Sequence, residues 1–181
     1  MTTKPSTKEN SQTSHSAPHL GLATPENWAS RLARLRINLY PAYRRTSARA
    51  EYVAGDFRYI RIRLPFNRHT RNHNNSIYGG ALYAAVDPIH CVMLLHALRT
   101  EDHIGWVRSA TIRFRKPARE DLFGHFYLTE QALAEAKAEL QARGRCNKLF
   151  PCTLVNAENK LHAQFEIEVH IRKRSPKDSP T

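Results

Sequence analysis

Apolar residues recur at two different periods along this chain, and the period changes from one segment to the next. Trp28, Leu32, Leu35 and Leu39 return at spacings of three and four, which predicts a helix over residues 25–39 with one apolar stripe. Thr24, Pro25 and Glu26 read as its N-cap, first residue and first-turn acid, and Pro41 as its stop. Alternation takes over at 57–64, where Ile60, Ile62 and Leu64 face one way and Arg61 and Arg63 the other. An earlier strand over 48–53 would pair with it through a turn at Gly55-Asp56. Residues 65–77 are dense in Asn, His and Arg and show no period.

Residues 78–98 are apolar around most of a helical circumference, which predicts a buried helix rather than a surface one. A strand over 107–115 follows, with Ala110, Ile112 and Phe114 alternating with Thr111, Arg113 and Arg115. Next come a strand over 122–128 and a helix over 130–142, capped by Thr129, stopped by Gly144, and carrying Leu133, Ala136 and Leu140 on one face. Strands over 146–155 and 161–172 end the pattern. In the last one Ala163, Phe165, Ile167, Val169 and Ile171 alternate with Gln164, Glu166, Glu168 and His170. Clean alternation implies an antiparallel sheet with one apolar face, and the apolar helix is what that face can wrap. The expected fold class is α+β.

Residues 1–25 are rich in Ser, Thr, Pro, Lys and Asn, and 174–181 are similar, so both are expected to be disordered tails around one domain at 26–173. No apolar run approaches the ~20 residues that cross a bilayer; the longest, 77–98, is interrupted by Asp87, Pro88, His90 and His96. Nor does the polar N-terminus offer a secretory signal. The three cysteines, Cys91, Cys146 and Cys152, form no CxxC pair and fit a reducing cytoplasm. A net charge of +12 favours anionic partners, whether nucleic acid, anionic lipid or a phosphate-rich small molecule, without choosing among them. Nucleic acid is disfavoured by the lack of aromatics interleaved with the basic residues. The ten histidines include no HExxH pair, so no metal is assigned.

The layout resembles the hotdog fold, in which an antiparallel sheet curls around one long central helix. The stretch Asn72-His-Asn-Asn-Ser-Ile-Tyr-Gly79-Gly80-Ala-Leu-Tyr-Ala-Ala-Val-Asp87 looks like the loop-to-helix signature of PaaI-type acyl-CoA thioesterases. Ser109-Ala-Thr-Ile-Arg-Phe-Arg-Lys-Pro-Ala118 resembles the strand that family places after its helix. Most of residues 28–173 is similar to a group of uncharacterised bacterial hotdog proteins, which share the Gly-Gly-x-Leu-Tyr-x-x-x-Asp-Pro run and the Phe-x-Lys-Pro strand end.

The resemblance implies an acyl thioester as substrate, with coenzyme A entering as part of it and no other cofactor. It also implies a homodimer or homotetramer with sites between subunits, and no membrane partner. The leading N–H groups of a helix have no intrahelical acceptors, so the Gly80 N–H, with Gly79 beside it, is the natural oxyanion donor. Asp87, seven residues on, returns to the same side and suits a general base or nucleophile. Asn72 would fix the loop or orient the water. Thioesterases commonly carry His where this chain has Tyr78, so that role would be unfilled or pass to Tyr78 or a loop residue such as His73. His90 could approach Asp87 from one turn away, and Ser109, Thr111, Arg115 and Lys116 could hold the substrate and its phosphates.

Plainer readings stand beside these. Asp87-Pro88 could cap a shorter helix over 88–98, and His90, Cys91 and Cys152 could be core residues. Arg113, Arg115, Lys116 and Arg119 could form a solvated outer face paired with Glu166 and Glu168. At the level of function, the alternative is a binding module that keeps the fold and has lost hydrolysis. Dehydratase chemistry on the same fold is weaker, for want of the His.

Overall fold

Asn27, not Thr24, starts the first helix. The computed structural model describes residues 23–99, 102–175 and 178, so the expected tails fall mostly outside the described residues. In α1 (Trp28–Leu39) the Asn27 side chain accepts from the Ser30 N–H at 2.9 Å, and the Ser30 hydroxyl accepts from the Asn27 N–H at 3.1 Å. This reciprocal cap satisfies two donors at once. Thr24 instead ties down the 55–56 turn: its carbonyl accepts from the Tyr52 hydroxyl and its own hydroxyl from the Asp56 N–H. Pro41 does not merely stop α1. It opens a short second helix, α2 (Pro41–Arg45), where its missing N–H costs nothing.

The stripe of α1 points outward. Trp28 is 79% exposed, Leu35 53% and Leu39 57%, while Ser30 and Ala33 are buried and Ile37 packs on the core. The Asn38 side chain locks this small-residue face to the sheet, bonding both the N–H and the carbonyl of Ala50.

Six antiparallel strands form one sheet: β1 (Arg49–Val53), β2 (Tyr59–Leu64), β3 (His103–Phe114), β4 (Leu122–Tyr127), β5 (Arg145–Val155) and β6 (Leu161–Lys173), in the order β1-β2-β4-β5-β6-β3. Its apolar face packs on the central helix, which runs as α3 (Gly79–Val86) and α4 (Ile89–Leu98). This is the α+β hotdog arrangement expected from the sequence.

Asp87 and Pro88 both hold right-handed helical angles, and the Asp87 N–H reaches the Tyr83 carbonyl at 3.0 Å. The helix therefore passes straight through them, and Asp87 is not an N-cap. Pro88 only deprives the Ala84 carbonyl of its usual donor. By length and composition the 20 residues Gly79–Leu98, at mean hydropathy 1.5, could cross a membrane. Here Leu82, Ala85, Val86, Ile89, Met93 and Leu94 are instead sealed against Ile60, Ile62, Phe126, Phe165 and Ile167. The Tyr43 hydroxyl of α2 donates to the Ala85 carbonyl and fixes the helix from outside the sheet.

After β4 comes α5 (Glu130–Arg143), begun by Thr129 accepting from the Ala132 N–H and ended by Gly144 at φ +65°, as expected. Strand β3 lies at the sheet edge, paired among the described residues with β6 alone.

Candidate active site

The loop before α3 lacks period but not order. The Thr70 hydroxyl donates to the Pro65 carbonyl at 2.7 Å, and the Thr70 carbonyl accepts from the Tyr78 N–H at 2.7 Å. The Asn72 side-chain oxygen accepts from the Asn74 and Ser76 N–H groups and from the Ser76 hydroxyl. Its carboxamide oxygen is thus committed to the loop, which leaves the loop-fixing half of its expected role. Ile77 donates to the Ala118 carbonyl at 2.8 Å, so the loop is also clamped to the segment after β3.

These bonds place the start of α3. The Tyr78 carbonyl takes the N–H groups of Ala81 and Leu82, while those of Gly79 and Gly80 meet no acceptor among the described residues. They carry the positive end of the helix. Close approach explains both glycines: a Cβ on Gly80 would run into the Tyr78 ring, and one on Gly79 would lie 3.2 Å from the Phe114 ring. Between the helix start and the end of β3 lies a groove of about 280 Å³, lined by Ser76, Ile77, Gly79, Leu82, Phe114 and residues 115–118. Arg115 and Lys116 stand at it with no acidic partner among the described residues; the Arg115 guanidinium donates to Gln164.

Asp87 lies farther along the same helix, half-buried. One carboxylate oxygen accepts from the Tyr83 hydroxyl at 2.7 Å, and no cation pairs with it among the described residues. Burial, with the Asp87 bond and charge adding to it, pushes the Tyr83 phenol up to about 12, so it remains a donor. One turn beyond, burial and then the Asp87 charge push the Cys91 thiol up to about 11, which keeps it an inert thiol. Gly80, Tyr83 and Asp87 follow at helical spacing along a side of the helix that the core does not seal, while Cys91, next at that spacing, is buried against Gly105 of β3. At 1.5 Å rise per residue, Gly80 and Asp87 stand about 10 Å apart along the axis.

The other candidates scatter. His90 is sealed in the core, its ring stacked on Phe150 at 4.5 Å and edge-on to Phe126, and desolvation pushes it down to about 3. It is a neutral core imidazole with no face left for a substrate. His73 is exposed in the loop. Ser109 donates to Glu168 on the exposed part of β3, and Thr111 sits opposite Glu166. Among the described residues none of Arg113, Arg115, Lys116 and Arg119 forms the ion pair with either glutamate that the outer-face reading supposed; Arg115, just past β3, turns to Gln164. Residues that the sequence did not single out are Tyr83, detectable from its spacing of four before Asp87, and Phe114 as a cover for Gly79. That last contact has no local signal.

Residues 30–177 match the family described as domain of unknown function DUF4442. None of the curated proteins matches the chain. Among solved structures, a Pseudomonas aeruginosa protein of unknown function, named a "probable thioesterase", superposes with TM-score 0.73 at 24% identity over 84% of this chain and 99% of its own. A Chlorobaculum tepidum protein of unknown function does so with TM-score 0.69 at 14% identity, over 81% and 95%. A thioesterase from Haemophilus influenzae gives TM-score 0.62 at 11% identity, over 84% and 96%. At these identities the likeness establishes the fold.

Proposed function

Since this chain belongs to the DUF4442 family and has the hotdog fold of thioesterase-like proteins, we propose that it hydrolyses acyl thioesters, with acyl-CoA as the substrate class, as a homodimer acting in the cytoplasm. The observation that carries this is Asp87: a half-buried carboxylate held by Tyr83, with no cation paired to it among the described residues, on a helix whose first two N–H groups meet no acceptor among them.

One thioester carbonyl must sit about 3 Å from its oxyanion donor and within reach of the water that the base activates. A span of about 10 Å along one helix is too long for both. Gly80 of one subunit and Asp87 of the other therefore flank each substrate, which makes the dimer part of the site. The Gly80 N–H, with Gly79 beside it, polarises the carbonyl. Asp87 takes a proton from water as the water attacks the carbonyl carbon. The tetrahedral intermediate then collapses, the carbon–sulfur bond breaks, and the thiolate leaves with that proton. Arg115 and Lys116 at the groove meet coenzyme A phosphates, and Tyr78 and His73 flank the entry. The open edge of β3 supports pairing with a second copy: a twelve-residue edge strand with one apolar side is a liability unless covered.

The competing reading, a module that binds acyl groups without cleaving them, rests on Tyr78 at the position where thioesterases commonly carry His. A panel of acyl-CoA and acyl-carrier thioesters, run on the native protein and on Asp87→Ala, separates the two. Hydrolysis of some panel member, lost by a factor of about 10² or more in the variant, is expected. A copurifying acyl ligand with no turnover would favour the module instead.

A further inference from the structure

The apolar stripe of α1 has no protein partner among the described residues, and its flanks are cationic. On a helical wheel Leu35, Trp28, Leu39 and Leu32 occupy an arc of about 60°, with Arg31 and Arg36 about 40° beyond either side. Ser30, Ala33 and Ile37 lie opposite and meet the body of the domain. Tyr40, 62% exposed, extends the stripe past the end of α1. Beside that end, Arg44, Arg45 and Arg49 line an open basin of about 550 Å³ with His69 and Leu39. Arg36, Arg44, Arg45 and Arg49 form no ion pair among the described residues, and 28–45 contains no acidic residue.

We infer that α1 and the start of α2 dock this protein on an anionic lipid bilayer. A helix of about 18 Å lying flat in the headgroup region buries its apolar stripe and places arginines on both flanks at phosphate level. A tryptophan at one end of the stripe fits that interface. The basin then receives headgroup phosphates. Charge selects the lipid surface over a second copy, because isologous packing of this face would set arginines against arginines, and the acid beside them, Glu26, is largely buried and already held by Arg34 and Arg31. The 1–22 segment offers the stripe only Met1, Leu20 and Leu22 as large apolar groups. The site differs from the groove at Gly79 and does not depend on the reaction proposed there.

The test is flotation of the full chain with vesicles of phosphatidylcholine alone, or of phosphatidylcholine mixed with phosphatidylglycerol. A Trp106→Phe background isolates Trp28 emission. Salt-sensitive flotation with the anionic vesicles is expected, together with a blue shift of Trp28. The triple variant Leu32→Glu, Leu35→Glu, Leu39→Glu, with its melting curve retained, loses binding by about tenfold or more. Arg44→Gln and Arg45→Gln each lower it by about fivefold on anionic vesicles only. Absence of flotation, or equal flotation of the triple variant, overturns the proposal. So does Trp28 emission already blue in lipid-free protein, which would mean that the chain itself or a second copy occupies the stripe.

Discussion

Strands β3 and β6 lie side by side and carry the same alternation, yet one is sealed and the other is bare. Phe114, Ile112 and Ala110 stand directly opposite Ala163, Phe165 and Ile167. The three on β6 are fully buried, whereas Phe114 is 58% exposed, Ala110 is exposed and Ile112 only partly packs on the core. Alternation identifies which side of a strand is apolar; only position in the sheet decides whether anything covers that side. The edge place of β3 leaves Phe114 to Gly79 and Gly105 to Cys91 of the helix, and the rest of its apolar side to the second copy proposed above.

The widest expected gap between the two strands is in stability. Phe165→Ala should cost about 3–5 kcal/mol in urea unfolding, and Phe114→Ala under about 1 kcal/mol in dilute protein. Equal losses would mean that β3 is as well packed as β6. Next is association: Ala110→Asp, near the middle of β3, puts like charges of two copies close to a twofold axis. Sedimentation should then show the monomer mass with little change in melting; an unchanged dimer would remove β3 from the seam.

The sealed side also has a pH signature. Folded His90 is pushed down to about 3 while the free side chain titrates near 6.5, so below about pH 6.5 only the unfolded chain takes up that proton. Stability should fall as pH drops from about 6.5 towards 3, by about 1.4 kcal/mol per unit for this one group. His96, His125 and His170 are lowered too and share the same acid limb. His90→Phe should flatten that limb by one proton in urea titrations across this range; an unchanged slope would contradict it. The smallest effect is at Tyr83. Losing its bond in Tyr83→Phe should lower turnover about tenfold, as one hydrogen bond to a charged group would, with the melting curve unmoved.

Most elements were legible because helix and strand periods are local. The strands appear within two residues of expectation except at the start of β3, which begins four residues earlier, at His103. What the period could not say was which surface meets which. The α1 stripe has the spacing of a core face, yet three small or unremarkable residues on the other side do the packing. Helix α2, at five residues, is too short to show a period. Asn27 and Thr24 are both good caps, and Ser30 three residues on decided between them. Of the candidate residues, Gly79, Gly80 and Asp87 were singled out by the resemblance together with their helical spacing, and the cap reading of Asp87 fell only to its backbone angles. The groove was not readable, since it depends on Phe114 meeting Gly79 across thirty-five positions of sequence.

The most direct test is steady-state hydrolysis of the best thioester in the panel by wild type and by Asp87→Asn, with equal dimer mass and melting confirmed for both. Asn keeps the shape and the Tyr83 contact but cannot take a proton, so kcat should fall by about 10² or more while KM changes little. A variant that turns over at the wild-type rate would contradict Asp87 as the base.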